Sequence, residues 1–562
     1  MRKELWRSFS IGGLLLGALF YAASLTPTLL PRTYLTQGVV SGCAIAAGYG
    51  IGVFGQWIWT YMELPQPSGR ILHVARLAAA AGCALVAVVS LWSAAPWQNS
   101  IRELMQLEAV DTAYPLRVTM IALAIFAIAV ALARLFELTL RFVGMRVSRF
   151  LPRRVSNVVG VVAAVALFWS IIDGVLFRVV LRIADASYQQ LDELIEPETP
   201  PPSDPLKTGS GASLLAWQEL GRAGREFISS GPTREDIGAF SGQASFEPVR
   251  VYVGLRSEDT VEARARLALE ELKRTGGFER PVLVVITPTG TGWVDPAALN
   301  SLEYLHHGNV ASVALQYSYL GSWLYLLVGA DYGADAARAL FKEIYAYWTT
   351  LPRAGRPKLY LHGLSLGAKY SEMSTDLIEV LGDPFAGVLW SGPPHSSRLW
   401  RFLTDNRTPG SPAWLPRFRD GSFVRFMNQH GDAAAPVLNA AWGPIRIVYL
   451  QYASDPVTFF DHRSFYREPD WMLPPRGPDV SPQLRWYPVV TFLQLALDMF
   501  MALEAPIGHG HVYAPAHYID AWIEVTDVRD WSEQKISRLK RHLSKPQSTA
   551  AIRIPATAEA KF

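Results

Sequence analysis

The sequence predicts an α-helical domain of five membrane spans followed by an α/β domain, in which a mostly parallel sheet carries helices on both faces. Three observations predict it. Five apolar runs of about twenty residues or more, the length a helix needs to cross ~30 Å of hydrocarbon, fill residues 9–181. Basic residues outnumber acidic ones there, so residues 1–182 carry net +9 and the remainder net −6 within a total of +3. Past a proline-rich stretch, short β-branched runs alternate with helical ones, as in βα units.

At 562 residues the chain has room for several domains and a large core. Its charged fraction is 18%, against roughly 25% in ordinary soluble domains, so a membrane-associated part is expected. Two cysteines, Cys43 and Cys83, both lie in apolar runs, which excludes a disulfide framework and leaves the C-terminal part without a cysteine metal site. The basic excess sits beside apolar runs and forms no nucleic-acid recognition module.

The spans are read at about 9–30, 37–61, 71–95, 116–140 and 157–181, within a transmembrane domain of residues 1–184. The first is an anchor, not a cleaved leader: it is long, contains Pro27, is followed by Pro31, and further spans follow. Trp57, Trp59 and Tyr61 close the second run, and Trp92 and Trp97 the third, as an interfacial belt does. Arg2, Lys3 and Arg7 precede the first span, and Arg141, Arg146, Arg149, Arg153 and Arg154 crowd the fourth connection. Both segments are expected on the cytoplasmic side, which puts everything past about residue 185 outside. Asp173 and Arg178, in or near the fifth span, read as a paired or snorkelling set on a helix face. Residues 185–212, with Pro200, Pro201 and Pro202, read as a semi-rigid linker, 213–542 as a catalytic domain and 543–562 as a flexible tail.

In the α/β part, strands are expected at Val249–Leu255, Pro281–Thr287, Val310–Gln316, Lys358–His362, Gly387–Ser391 and Ile445–Gln451. Helices are expected at 258–274, 332–349 and from about 366. Ligands of such sheets bind beyond the strand C-termini. There stands Gly363-Leu364-Ser365-Leu366-Gly367, a G-x-S-x-G turn between an apolar strand and a helix. A serine on that strained turn projects its Oγ, the glycines leave room for neighbouring backbone, and the Leu366 amide faces a developing oxyanion.

A serine nucleophile needs an acid and then a base later in the chain. Asp455, directly after the strongest late strand, is the natural acid, with Asp461 and Asp432 as alternates. Two histidines compete for the base in Gly508-His509-Gly510-His511, His511 taken first, just before a closing helix from about Pro515. His-x-His spacing with His517 or Asp520 could also bind a metal, but no H-E-x-x-H or second carboxylate cluster accompanies it, and no metal or cofactor is expected. His306-His307 reads as a structural pair. The loop Pro288–Trp293 follows a central strand, and Gly290 and Thr291 are expected as further oxyanion donors. Leu364, Trp293, Tyr317 and Tyr319 are expected to line the substrate pocket, and residues 397–442 to form a lid over it.

These residues resemble the α/β-hydrolase superfamily, and within it the bacterial, largely actinobacterial, membrane proteins called alpha/beta-hydrolase family 9. The resemblance rests on Ser24–Arg32, Pro248–Gly254, Thr287–Trp293, Gln316–Leu320, Gly363-x-Ser365-x-Gly367, Ser454-Asp455-Pro456 and Gly508–His511, and it covers nearly the whole chain. It implies a serine-hydrolase-like domain tethered to the cytoplasmic membrane, with Ser365 as nucleophile. Leu364 departs from the polar residue, often Glu, expected before that serine.

The expected function is that of a membrane-anchored serine esterase or lipase acting on a lipid-like ester at the bilayer. The same triad would serve an envelope acyltransferase, and a catalytically silent receptor or scaffold is the reading from another class.

Overall fold

The computed structural model describes residues 9–65, 69–147, 161–162, 165, 199–319, 332–430 and 440–545. It divides into two compact units. One comprises Met1–Ala186 with Ala453–Gly510, the other Ser187–Tyr452 with His511–Phe562.

The first unit is built on helices Ile11–Ser24, Tyr34–Tyr61, Arg70–Leu104 and Pro115–Val147, joined by Val490–Phe500. Three of them hold segments long and apolar enough to cross a membrane, at Tyr34–Tyr61, His73–Leu104 and Pro115–Phe142. The first expected span is shorter than its apolar run suggests. The helix stops at Ser24, and its 14 residues reach only about 21 Å at 1.5 Å per residue. Pro27 cannot continue the hydrogen-bond ladder, and the chain beyond turns inward, with Leu25, Leu29 and Leu30 buried. The expected fifth span, with Asp173 and Arg178, lies outside the described residues.

Small residues let these helices meet. A Cβ on Gly52 would sit 2.5 Å from Gly13 Cα, and one on Gly48 2.8 Å from the Leu16 carbonyl oxygen. Toward Pro115–Val147 the same helix presents Gly38 and Gly42, where a Cβ would lie 2.6 Å from Ile121 Cβ and Ile125 Cβ respectively. Such seams bring backbones together where lipid offers no hydrophobic drive between helices.

The turned-in segment after Ser24 is held by a buried polar network. Arg32 and Asp498, both side chains fully covered, pair at 2.9 Å, and Asp498 also accepts from Leu29 N at 3.1 Å and Thr28 Oγ1 at 3.2 Å. Gln494 Nε2 donates to the carbonyls of Ser24 and Thr26, and Gln37 Nε2 donates to the Ser24 carbonyl and to Ser41 Oγ. Each buried charge is therefore both paired and hydrogen-bonded, the condition under which burial is tolerated.

The second unit is a seven-stranded parallel sheet of β1 Val249–Val253, β2 Val282–Thr287, β3 Val310–Leu315, β4 Lys358–Leu364, β5 Gly387–Ser391, β6 Val424–Met427 and β7 Arg446–Leu450. Their order is β1-β3-β2-β4-β5-β7-β6. β1, β2 and β3 are buried at every residue, and the near-continuous Val, Leu and Ile run of β2 is what a strand covered on both faces requires. Arg250 inside β1 is tolerated because its guanidinium meets both Glu303 oxygens, Asn300 Oδ1 and the Phe227 carbonyl at 2.7–2.8 Å.

Three features differ from the expectations. Val424–Met427, inside the expected lid, pairs with β7 as an edge strand of the sheet. The described end of the expected linker is tied down, since the Pro205 carbonyl accepts from Arg274 Nη1 at 2.6 Å and Lys207 pairs with Glu247 at 2.6 Å. The strand before the G-x-S-x-G turn runs two residues further than expected, through Leu364.

Candidate active site

The sheet order reverses between β2 and β4, which makes their C-terminal ends the crevice where ligands of open α/β sheets bind. β4 ends at Leu364 and a helix begins at Leu366, so Ser365 alone makes the turn. Its φ of 57° and ψ of −123° lie where a side chain costs about 1–3 kcal/mol and persists only if its surroundings fix it. The glycines on either side do so. A Cβ on Gly363 would stand 2.4 Å from Gly367 C and O, and one on Gly367 2.2 Å from the Thr287 carbonyl oxygen. The Ser365 amide donates to the Ser391 carbonyl at 2.9 Å.

The close approach of Gly367 to Thr287 sets the loop after β2 against the turn. That loop is fixed internally by Thr289 N to the Trp293 carbonyl and Gly292 N to the Thr289 carbonyl, both 2.9 Å. It is pinned from outside by the Tyr252 hydroxyl, which donates to the Gly292 carbonyl at 2.7 Å, and by Gln316 Nε2, which reaches the Thr291 carbonyl at 3.3 Å. The loop thus spends the amides of Thr289 and Gly292 on itself, and Gly290 and Thr291, the expected donors, sit at its tip. Leu364 and Tyr317 are buried, Tyr317 edge-on to Tyr370 at 5.5 Å, while Trp293 and Tyr319 are half-buried.

The two competing histidines fall in different units. His511, 6% exposed, lies against Gly392, where a Cβ would stand 2.6 Å from its Cε1 and 2.9 Å from its Nδ1. Gly392 follows Ser391, whose carbonyl holds the Ser365 amide. The imidazole and the serine backbone therefore flank the same dipeptide at the end of β5. The Tyr513 ring stands edge-on to His511 at 5.8 Å. His509 belongs to the first unit, where burial lowers its pKa and Asp479 raises it in part.

Asp455 is also in the first unit, fully buried at the start of a short helix, its carboxylate accepting from Val457 N at 2.9 Å and Thr458 Oγ1 at 3.3 Å. In that unit Gly510 N donates to Ser454 Oγ at 2.9 Å, and Ser454 Oγ donates to Asp479 Oδ2 at 2.6 Å. The residues just before His511 and just before Asp455 are thus hydrogen-bonded to each other. Of the alternates, Asp461 caps a one-turn helix through Arg463 N at 2.9 Å, and Asp432 lies outside the described residues.

Sequence reasoning missed an acidic group near His511 in its own unit. Asp295 is buried and accepts from Ala297 N at 2.9 Å. Burial pushes its carboxyl up to about 6, against that amide, the Tyr518 hydroxyl and the His511 charge, which lower it. The Tyr518 hydroxyl faces Asp295 and Ser391, and burial raises it well above its ordinary value. In sequence Asp295-Pro296 has the form of a helix cap and nothing more, so local pattern carries no sign of its place near His511. His362, three residues before the serine, donates from Nδ1 to the Leu389 carbonyl at 2.8 Å, and burial lowers it to about 4. It is a neutral core histidine.

His517 and Asp520, the expected alternatives for a third metal ligand, have other partners, and the His306-His307 pair is held structurally. His517 Nδ1 is 2.6 Å from the Tyr452 hydroxyl, and Asp520 pairs with Lys540 at 2.6 Å. His306 bonds Thr526 Oγ1 at 3.0 Å, and the His307 ring stacks on Trp531.

No curated protein and no solved structure matches this chain. Two family models do: residues 249–539 match that of an alpha/beta-hydrolase family, and residues 25–232 match that family's N-terminal model. With the parallel sheet, the serine turn and the apolar helices that precede them, these matches place the chain in alpha/beta-hydrolase family 9.

Proposed function

We propose that the protein is a membrane-anchored serine hydrolase of the esterase or lipase type. Ser365 is the nucleophile, His511 the base and Asp455 the acid that orients it. The backbone of Ser365 carries this reading. A non-glycine residue is held at φ 57° between two glycines that have no room for a Cβ, and that geometry serves to present a hydroxyl. His511 is preferred to His509 because its ring lies against Gly392 at the end of β5.

In the proposed reaction Ser365 Oγ bonds to the ester carbonyl carbon as its proton passes to His511. Amides of Leu366 and of the Gly290–Thr291 tip hold the oxyanion. The C–O bond to the alcohol breaks as His511 returns the proton to the leaving oxygen. Water, deprotonated by His511, then releases the acyl group as the acid. Leu364, Trp293, Tyr317 and Tyr319 supply apolar surface to a lipid-like ester.

A fluorophosphonate probe tests this directly. Labelling of the full-length protein that disappears in Ser365→Ala and falls at least a hundredfold in His511→Ala, with His509→Ala labelling as wild type, is the expected result. Absence of labelling in folded protein overturns the proposal.

The membrane reading is likewise ours: five spans in the bacterial cytoplasmic membrane, the N-terminus inside and the hydrolase domain outside. Three apolar helices and the arginine cluster after the fourth run support it. A phosphatase fused after residue 190 should be active outside the cell, and activity only of a cytoplasmic reporter there would reverse the orientation.

A further inference from the structure

The first unit contains a cavity of about 410 Å³, within the size range of small-molecule sites. Its floor is the top of the helix core, with Leu25, Leu91 and Val118 continuous with the cluster of Tyr21, Leu25, Val118 and Ala122. Its walls are the segment after Ser24, the last turns of Arg70–Leu104 and the connection 105–114. These walls are fixed. Val110 N donates to Asn99 Oδ1 at 2.8 Å, Asn99 Nδ2 donates back to the Val110 carbonyl at 3.0 Å, and Arg32 N donates to Gln98 Oε1 at 2.8 Å.

Two arginines line the cavity, and they differ. Arg32 is spent on Asp498, Thr28 and the Gln494 carbonyl. Arg102 gives only its Nε, to the Glu108 carbonyl, and among the described residues its Nη1 and Nη2 have no hydrogen-bond partner. An open guanidinium edge at the polar end of an apolar cavity suits a planar acceptor with two oxygens, which is what a carboxylate offers. The site lies where three membrane-length helices end or begin, beside Tyr34 and Tyr114, whose rings pack at 5.7 Å with Arg117 over both. Amphipathic rings and arginines of that kind belong at the headgroup level.

We infer that this cavity binds one long-chain fatty acid, its chain on the Leu25–Leu91–Val118 floor and its carboxylate on Arg102. Size favours a single chain: at about 30 Å³ for each water-sized group, the volume takes roughly the first dozen methylenes of one chain, the rest running out through its open side, and has no room for a second. Glu504 on the lining adds selectivity, since a carboxylate is accepted only where it can reach Arg102 and stay clear of Glu504. This site is independent of the hydrolase chemistry and would exist in a protein with no esterase activity.

The test is binding of cis-parinaric acid, a fluorescent long-chain carboxylate, to the purified full-length protein in detergent, with palmitate, methyl palmitate and phosphatidylglycerol as competitors. Palmitate should displace the probe, while methyl palmitate and phosphatidylglycerol should be at least tenfold weaker. Arg102→Gln should weaken probe binding at least tenfold, Leu91→Trp should abolish it, and Ser365→Ala should leave it unchanged. Should Leu91→Trp fail to fold, Val110→Trp in the connecting loop decides the same point. Binding lost in Ser365→Ala, phosphatidylglycerol competing as well as palmitate, or binding unaffected by both Arg102→Gln and Val110→Trp would overturn the assignment.

Discussion

Along the helical unit, Gly38, Gly42, Gly48 and Gly52 each admit a neighbouring helix, so close packing is shared among four positions of one element. At the end of β4, Gly363 and Gly367 clear space for a single turn, and the obstacles are backbone atoms: Gly367 C and O on one side, the Thr287 carbonyl on the other. The helices can shift slightly and lose part of their contact. A carbonyl oxygen inside a parallel sheet is fixed by its hydrogen bonds, so the turn has nowhere to move. Packing that is distributed degrades gradually, and packing that positions one serine fails at once.

The sharpest break of this contrast is Gly367→Ala. The new methyl would lie 2.2 Å from the Thr287 oxygen, so fluorophosphonate labelling should be lost and stability should fall by about 4 kcal/mol or more, in the range reserved for severe core strain. Labelling at the wild-type rate would show that the turn is not rigid.

Asp498→Ala attacks the helical unit where it is not redundant. It leaves the Arg32 guanidinium buried without its carboxylate, which costs roughly 3–5 kcal/mol. Thermal unfolding in detergent should register this, and Asp498→Asn, which keeps hydrogen-bonding capacity, should lose less.

Glu372, in the α/β unit, is only partly covered as a residue, but its carboxyl group is enclosed. It accepts from the Tyr449 hydroxyl at 2.9 Å and Leu399 N at 3.3 Å, and burial pushes it up to about 8. A raised carboxyl holds its proton in the folded state while the unfolded chain releases it near 4.5. The stabilisation is therefore complete below about pH 4.5 and is lost as pH rises to 8. Glu372→Gln lacks this dependence, so its advantage over wild type should grow by at most about 1.4 kcal/mol per pH unit across that window and level off above it. Parallel unfolding curves from pH 5 to 8 would refute this.

The smallest effects belong to the shared seam. Gly42→Ala forces a methyl to within 2.6 Å of Ile125 Cβ and should cost about 1–3 kcal/mol. Gly50→Ala, with nothing within 4 Å, should stabilise by roughly 0.5–1 kcal/mol through the helix backbone. Equal melting shifts for the pair would mean that the helices are not in close contact.

Much of this was legible in the chain. The six strands read from β-branched runs all form, because a run buried on both faces leaves few alternatives. The serine turn was legible because its glycines are unavoidable. β6 was not, since Val424–Met427 is four residues within a Trp- and Arg-rich stretch, and its pairing depends on β7 being beside it. The first apolar run extends six residues past the end of its helix at Ser24, because hydrophobicity does not reveal that Thr28 and Leu29 fold back onto Asp498, some 470 positions away.

By itself, the sequence determined the split between a basic apolar front and an acidic α/β back, and the serine turn that ends β4. Both follow from local pattern: period, charge and the steric demands of one turn. Only the tertiary structure decided that the Asp295 carboxyl lies near His511 and faces the Tyr518 hydroxyl, that Gly392 packs against the His511 ring, and that Arg32 is spent while Arg102 keeps an open edge. Such facts depend on which distant segments share a volume, and burial there sets both the protonation of a carboxyl and the worth of a hydrogen bond.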